Sequence, residues 1–507
     1  MKCFFQKIFS RMVVTGLLIL VQFVWIVSIF WILAEQAVWI DTAFTLLSLL
    51  MALYIINKDE NPAYKLGWIL IIGIIPLLGG LFYVIFGNKR PSKKLRLKLE
   101  KEEALHKELL TQDKGIIDEI DCRISGTARY LSRYGAYPIW KNTKVQYFDL
   151  GEKMYSSMKE DLKKAEHFIF LEYFILAESK MWDELFNILK EKARQGVDVR
   201  LMYDDVGSIS ILPKNILSDC KENNIQCIPF NPMVPFISLV MNNRDHRKIM
   251  VIDGFISYNG GINIADEYIN LYEKYGHWKD TGVRLEGMAT WNFTVMFLNM
   301  WNGIKKTDED YENYRPNRWN KKEFESDGYI QPYSDSPLDE ETIGENVYID
   351  IISQAKKYVY IFTPYLIIDN EMQVALTLAA KRGVDVRIVT PGIPDKKMVF
   401  MLTRSYYHSL KKAGVKIYEY TPGFIHAKSY VCDDRISVVG TINMDYRSLY
   451  LHFECGTLLI DSSIIKEIKE DCIKTFEKSH LVNDKDLKTG FFGSLFNAVL
   501  RVLSPLL

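Results

Sequence analysis

One pattern occurs twice in this chain, and it constrains the fold more than any other feature. At 246 the sequence reads His246-Arg-Lys248-Ile-Met-Val-Ile-Asp253, and at 426 it reads His426-Ala-Lys428-Ser-Tyr-Val-Cys-Asp433. Both are H-x-K-x-x-x-x-D. Each is followed at the same distance by a glycine-led turn with an asparagine, Gly260-Gly261-Ile-Asn263 and Gly440-Thr441-Ile-Asn443. A single match of this kind is weak. Two, in a chain with eight histidines in all, point to a repeated structural unit.

Both motifs run into apolar, β-branched residues and read as buried strands. Side chains alternate along a strand, so His246 and Lys248 share a face, as do His426 and Lys428. Asp253-Gly254 is a turn signal that returns the chain through Phe255 to Tyr258. Two such strands facing each other bring two imidazoles and two ammoniums to one pocket. One imidazole can then act as a neutral nucleophile while the other carries a proton. Two lysines and two asparagines suit an anion with several oxygens, which points to phosphate.

The surroundings of the motifs repeat as well. Ala193-Arg-Gln-Gly196-Val-Asp-Val-Arg200 matches Ala380-Lys-Arg-Gly383-Val-Asp-Val-Arg387. In each copy a helix, a strand, a second helix and a second strand precede the motif. This predicts an internally duplicated α/β fold with strand-helix-strand crossovers and covering helices.

The paired motifs resemble those of the phospholipase D superfamily. The second copy continues Gly440-Thr-Ile-Asn443-Met-Asp445-Tyr-Arg447-Ser448 with Glu454 shortly after, and the first continues to Trp278-Lys-Asp280-Thr-Gly. With the apolar N-terminus described below, the chain is similar to bacterial cardiolipin synthases over nearly its whole length. The resemblance implies transmembrane helices followed by a duplicated α/β/α sandwich with two pseudo-symmetric, mixed and largely parallel sheets. It also implies a phosphohistidine intermediate formed without a metal or other cofactor. The reaction expected is phosphatidyl transfer between two phosphatidylglycerol molecules. The site residues it implies are His246, Lys248, Asp253, His426, Lys428 and Asp433, with Asn263 and Asn443 on the phosphoryl oxygens. Asp280 and Glu454 are the candidates for orienting His246 and His426. His246 is favoured as nucleophile, and Asp253 and Asp433, at strand ends, also suit a structural role. Water or another alcohol as acceptor, a nuclease and an inactive membrane scaffold are the alternatives. A formal net charge of zero gives no basic footprint for nucleic acid. Seven scattered cysteines form no C-x-x-C pair and no zinc pattern.

Residues 1–90 form the expected membrane anchor. Met12 to Leu33 and Ala37 to Ile56 are long enough to span, and Leu66 to Phe86 is a third apolar stretch interrupted by Pro76, Gly79 and Gly80. Lys2, Lys7 and Arg11 favour a cytoplasmic N-terminus, and the basic run from Lys89 to Lys101 favours a cytoplasmic catalytic region. Three full crossings do not satisfy both, so the interrupted third stretch is expected to be re-entrant. The remaining divisions are a basic helical connector at 91–135, repeat 1 at 136–306, a linker at 307–336, repeat 2 at 337–486 and an amphipathic tail at 487–507. The apolar runs Pro232 to Met241 and Met398 to Leu402, each ahead of a motif, are expected to contact acyl chains.

Overall fold

The computed structural model describes residues 20–25, 28, 38–87, 91–233, 242–307, 310–338, 341–488 and 490–506. Most of the first expected span and most of the run from Pro232 to Met241 lie outside them.

Repeat 1 builds one sheet from β1 (Thr143–Phe148), β2 (Phe168–Tyr173), β3 (Asp198–Asp204), β4 (Gln226–Phe230), β5 (Lys248–Ile252), β6 (Ile256–Gly260) and β8 (Gly282–Gly287). Their spatial order is β1-β8-β6-β5-β2-β3-β4, and β7 (His277–Lys279) stands apart. Repeat 2 uses β9 (Tyr329–Asp335), β10 (Tyr358–Phe362), β12 (Asp385–Pro391), β13 (Lys416–Tyr420), β15 (Ser429–Cys432), β16 (Ile436–Gly440) and β18 (Glu454–Ile460). They repeat the same order, with β19 (Ser479–Leu481) added at the edge beside β13. Short β11 (Leu366–Ile367), β14 (Gly423–Ile425) and β17 (Met444–Asp445) lie outside this sheet.

The duplication expected from sequence is present, but parallel pairs are the minority. Only β2/β3, β3/β4, β10/β12 and β12/β13 are parallel within the two sheets. The crossover helices account for those. The motif strands β5 and β15 instead turn back as hairpins, and β1, β8, β9 and β18 add antiparallel to them. The supposed linker is corrected too: its last residues form β9, paired along β18.

The local reasons are readable. The helices Lys180–Arg194 and Asn370–Lys381 each stop at a glycine in the left-handed region, Gly196 at φ 92° and Gly383 at φ 93°. The strands are apolar on both faces because both are covered. Phe170, Ile249 and Val251 face Val431, Val439 and Leu459 in a shared central core, together with the almost wholly buried helix Thr290–Ile304. Ile169, Leu171 and Met250 face the outer helices of repeat 1, and Ile361, Tyr430 and Val438 face those of repeat 2.

Among the described residues no helix is long and apolar enough to cross a membrane. The third apolar stretch is two helices, Pro62–Ile74 and Pro76–Phe86, broken at Ile75 before the proline. At about 1.5 Å per residue each falls short of a hydrocarbon core of about 30 Å. Gly79 lets them meet closely, since a Cβ there would lie 2.6 Å from the Ile72 Cα. The first of these helices is bolted to repeat 2. Asn61, its N-cap, donates to Asp369 and to the Tyr450 hydroxyl, both at 2.7 Å, and Tyr64 packs edge-on against Tyr446 and Tyr450.

Candidate active site

The two motif strands end at one cleft of about 980 Å³ between the repeats, and both motif histidines line it. Their orientation is set crosswise. Nδ1 of His246, in repeat 1, lies 2.7 Å from Oε1 of Glu454 in repeat 2. Nδ1 of His426, in repeat 2, lies 2.7 Å from Oδ2 of Asp280 in repeat 1. Taken in chain order the pairing would keep each carboxylate with the histidine of its own repeat, and the structure reverses this. The backbone explains why. The His246 amide donates to the Phe453 carbonyl, and Asp245 bridges Phe453 in parallel. In the other half β14 pairs with β7, and the His426 amide donates to the Lys279 carbonyl. Each histidine is thus stitched to the segment that carries the opposite carboxylate. With Nδ1 so engaged, Nε2 is left for chemistry.

Lys248 and Lys428 are buried behind their histidines. Each ammonium donates to the carbonyl of the histidine two residues earlier, His246 at 2.5 Å and His426. Each retains two further donors. Glu454 is held by the Thr441 hydroxyl. Asn263 and Asn443 both line the cleft. Asn263 accepts from the Ile175 amide and donates to the Tyr268 hydroxyl, whereas Asn443 Oδ1 is buried without a hydrogen-bond partner.

Asp253 and Asp433 are not with them. Asp253 accepts from the amides of Glu166, His167 and Phe168, and Asp433 from those of Lys356, Lys357 and Tyr358. They pin the starts of β2 and β10 at the far end of the motif strands, roughly 15–20 Å from the lysines at about 3.3 Å per residue. Their part of the motif builds the sheet, which corrects their place in the catalytic set.

The family description "Cardiolipin synthase, PLD-like domain" matches residues 158–275 and 348–478, one match per repeat, and "Phospholipase D-nuclease N-terminal" matches 46–88. A cardiolipin synthase of Alkalihalophilus pseudofirmus is 34% identical over 92% of this chain and 94% of its own length. The chain belongs to the cardiolipin synthase family. An uncharacterized protein of Streptococcus mutans is 46% identical over 90% of the chain and 99% of its own length. The fold is also that of phosphatidylserine synthase from Haemophilus influenzae, with a TM-score of 0.55 at 14% identity, covering 75% of this chain and all of that one.

In this family member the cleft is built for an anion. Burial lowers the pKa of Lys248 to about 8 and of Lys428 to about 7. Burial, then Lys428, brings His426 down to about 4, and burial with Lys248 holds His246 well below its ordinary value. The two lysines and two imidazoles disfavour one another's positive charge in this buried site, so an anion placed between them would favour the protonated forms. The carboxylates differ. Burial pushes Glu454 well up, while Asp280 stays below the usual range against its burial, because His426 and Lys428 favour its charge.

Several cleft residues escaped the motif reading. His452 has its ring centroid 5.7 Å from that of His246, and both its nitrogens are buried without a hydrogen-bond partner. Phe174 packs against His246, and Tyr268 and Trp278 pack against His426. Among the described residues His246, His452 and Glu454 have ligand atoms within 4.8 Å of one another. The set fits a divalent ion by number but not by charge, because the Lys248 ammonium already disfavours positive charge at His246.

Proposed function

We propose that the protein is a cardiolipin synthase that moves a phosphatidyl group between two phosphatidylglycerol molecules, with the crosswise His–carboxylate pairs as its machinery. That one cleft holds two imidazoles, each fixed through Nδ1 by the opposite repeat, is the observation that carries this reading. His426 beside the ionised Asp280 is the better home for a proton, which leaves His246 as nucleophile. Nε2 of His246 attacks phosphorus, the bond to the leaving glycerol breaks, and His426 protonates that oxygen. His426, now neutral, takes the proton from a glycerol hydroxyl of a second phosphatidylglycerol. That oxygen attacks phosphorus, the P–N bond breaks, and cardiolipin leaves. Lys248, Lys428 and Asn443 stabilise the charge gathering on the phosphoryl oxygens.

The enzyme is membrane-associated in this reading, with its cleft in the cytoplasm and the N-terminal helices as anchor. A site beside the bilayer meets phosphatidylglycerol at high local concentration, which favours the lipid hydroxyl over water as acceptor. Met398, Val399 and Leu402 line the cleft and suit acyl chains. The test is the product from phosphatidylglycerol alone in liposomes. Cardiolipin and free glycerol should dominate, and added glycerol should drive the reaction backward. Phosphatidic acid as the main product would make the protein a phospholipase.

A further inference from the structure

The helix Phe491–Leu503 carries no acid, and its apolar residues fall into two sets. Leu500 is buried in the core of repeat 2, the Arg501 guanidinium lies 4.5 Å from the Tyr406 ring centroid, and Ser504 just beyond the helix meets the Tyr406 hydroxyl at 3.3 Å. The helix is therefore docked, not loose. Its other side is bare: Phe491 and Phe492 are 78% and 82% exposed, and Leu495, Phe496, Val499 and Val502 are exposed too. Spacings of three, four and seven residues put Phe492, Leu495, Phe496 and Val499 on one stripe.

The place of this stripe gives it meaning. Leu500 and Ser504 line the same cleft as His246 and His426. The neighbouring helix Lys397–Lys412 contributes Val399 and Leu402 to that cleft and exposes Met398 and Met401. On its other flank the C-terminal helix packs on Pro62–Ile74, whose Leu66, Leu70 and Ile74 are exposed. Exposed apolar residues thus lie on each of the helices packed in series from Pro62–Ile74 to the cleft mouth. Lys396, Lys397 and Arg447, all exposed, rim that mouth. Cations beside a broad apolar face match anionic headgroups above acyl chains.

We propose that the C-terminal helix is one wall of a lateral lipid portal: its bare stripe sits in the bilayer, and phosphatidylglycerol passes over it into the cleft. This rests on the lipid-substrate reading above and adds the route. The test uses the full chain with Phe491→Ser, Phe492→Ser and Phe496→Ser combined. Turnover is followed as free glycerol, which both transfer and hydrolysis release. Substrates are long-chain phosphatidylglycerol in liposomes and dihexanoyl phosphatidylglycerol below its micellar concentration. The triple variant should lose about tenfold or more on liposomes and keep its short-chain rate, and the matching triple leucine variant should restore the liposome rate. An unchanged liposome rate, or equal loss on both substrates, overturns the portal. Phosphatidic acid in place of cardiolipin from the unmodified chain would instead overturn the synthase reading and leave the glycerol comparison intact.

Discussion

The crosswise pairs can be separated by a substrate that needs no acid. Asp280→Asn and Glu454→Gln each remove one carboxyl hydrogen bond to an imidazole, at 2.7 Å in both cases, and the one from ionised Asp280 is charge-assisted. Such a bond contributes about 1.5–3 kcal/mol, or roughly 10–150-fold in rate. An amide can also turn its N–H toward Nδ1 and stabilise the wrong tautomer, which extends the loss toward that of a missing acid–base group, about 10²–10⁴-fold. Both variants should therefore lose cardiolipin synthesis from phosphatidylglycerol by about 10²–10⁴-fold. They should part company with phosphatidyl-p-nitrophenol, whose leaving group departs without a proton. Release of nitrophenol in the first turnover reads nucleophilic attack alone. Asp280→Asn and His426→Ala should keep that burst within about tenfold of the parent, whereas Glu454→Gln and His246→Ala should lose it. If Asp280→Asn behaves like His246→Ala while Glu454→Gln is spared with His426→Ala, the pairing runs within each repeat and the crosswise geometry is wrong. If the pairs hold but their behaviour is exchanged, His426 is the nucleophile.

Four further outcomes follow from the same geometry. The lysine values near 7 and 8 predict an alkaline limb in kcat/KM for phosphatidylglycerol between about pH 7 and 8, as the free enzyme loses the charges that hold phosphate. The kcat limb should lie higher, because bound phosphodiester keeps both ammoniums; coincident limbs would contradict this. Because the unfolded chain keeps these lysines protonated to about pH 10, they make folding stability rise with pH from about 7 to about 10, opposite in sign to activity. Activity should survive exhaustive chelation; loss restored by one divalent ion would return His246, His452 and Glu454 to the role of metal ligands. Asp253→Ala strips the acceptor from three amides and should lower stability by about 2–4 kcal/mol, read by thermal unfolding, with kcat of the folded protein nearly unchanged. A catalytic Asp253 would show the reverse. Exposed Ser326→Cys, with the exposed Cys122 changed to Ser, should resist an impermeant thiol reagent in intact cells; labelling there would put the cleft outside.

The duplicated strands, their helices and the stop at each glycine were legible because they are local: period, turn residues and repetition state them directly. The histidines and lysines were legible for the same reason, since two residues of spacing on a strand fixes a shared face. What failed was what depends on the partner repeat. Whether a strand adds parallel or antiparallel is decided by which edge it meets, and β9 was hidden in a polar stretch whose pairing with β18 no local pattern announces. The role of Asp253 was misplaced because its motif spacing is rigid for a structural reason, the length of β5, and rigidity of spacing alone does not separate a clamp from a catalyst. His452 was missed because it belongs to the cleft only once the Phe453 backbone is laid against Asp245.

That same stitching settles how the two halves depend on each other. Repeat 1 supplies His246 and Asp280, repeat 2 supplies His426 and Glu454, and neither keeps its own carboxylate for its own histidine. Separating the repeats would therefore cost each imidazole its orienting partner and expose the central apolar layer in which Phe170 and Val251 meet Val431 and Leu459. A duplicated fold with in-repeat pairs would give two half-sites, each with a fixed imidazole and no second base. In the proposed mechanism, crosswise pairs instead orient each imidazole only when both repeats are assembled. In a reaction that must hold a phosphatidyl–histidine until a second lipid arrives, this ties attack, leaving-group protonation and acceptor activation to one assembled geometry. It follows that substitutions in the segments that stitch the halves, such as Phe453 beside His246 or Phe424 beside His426, should lower both steps together, although neither side chain carries a proton.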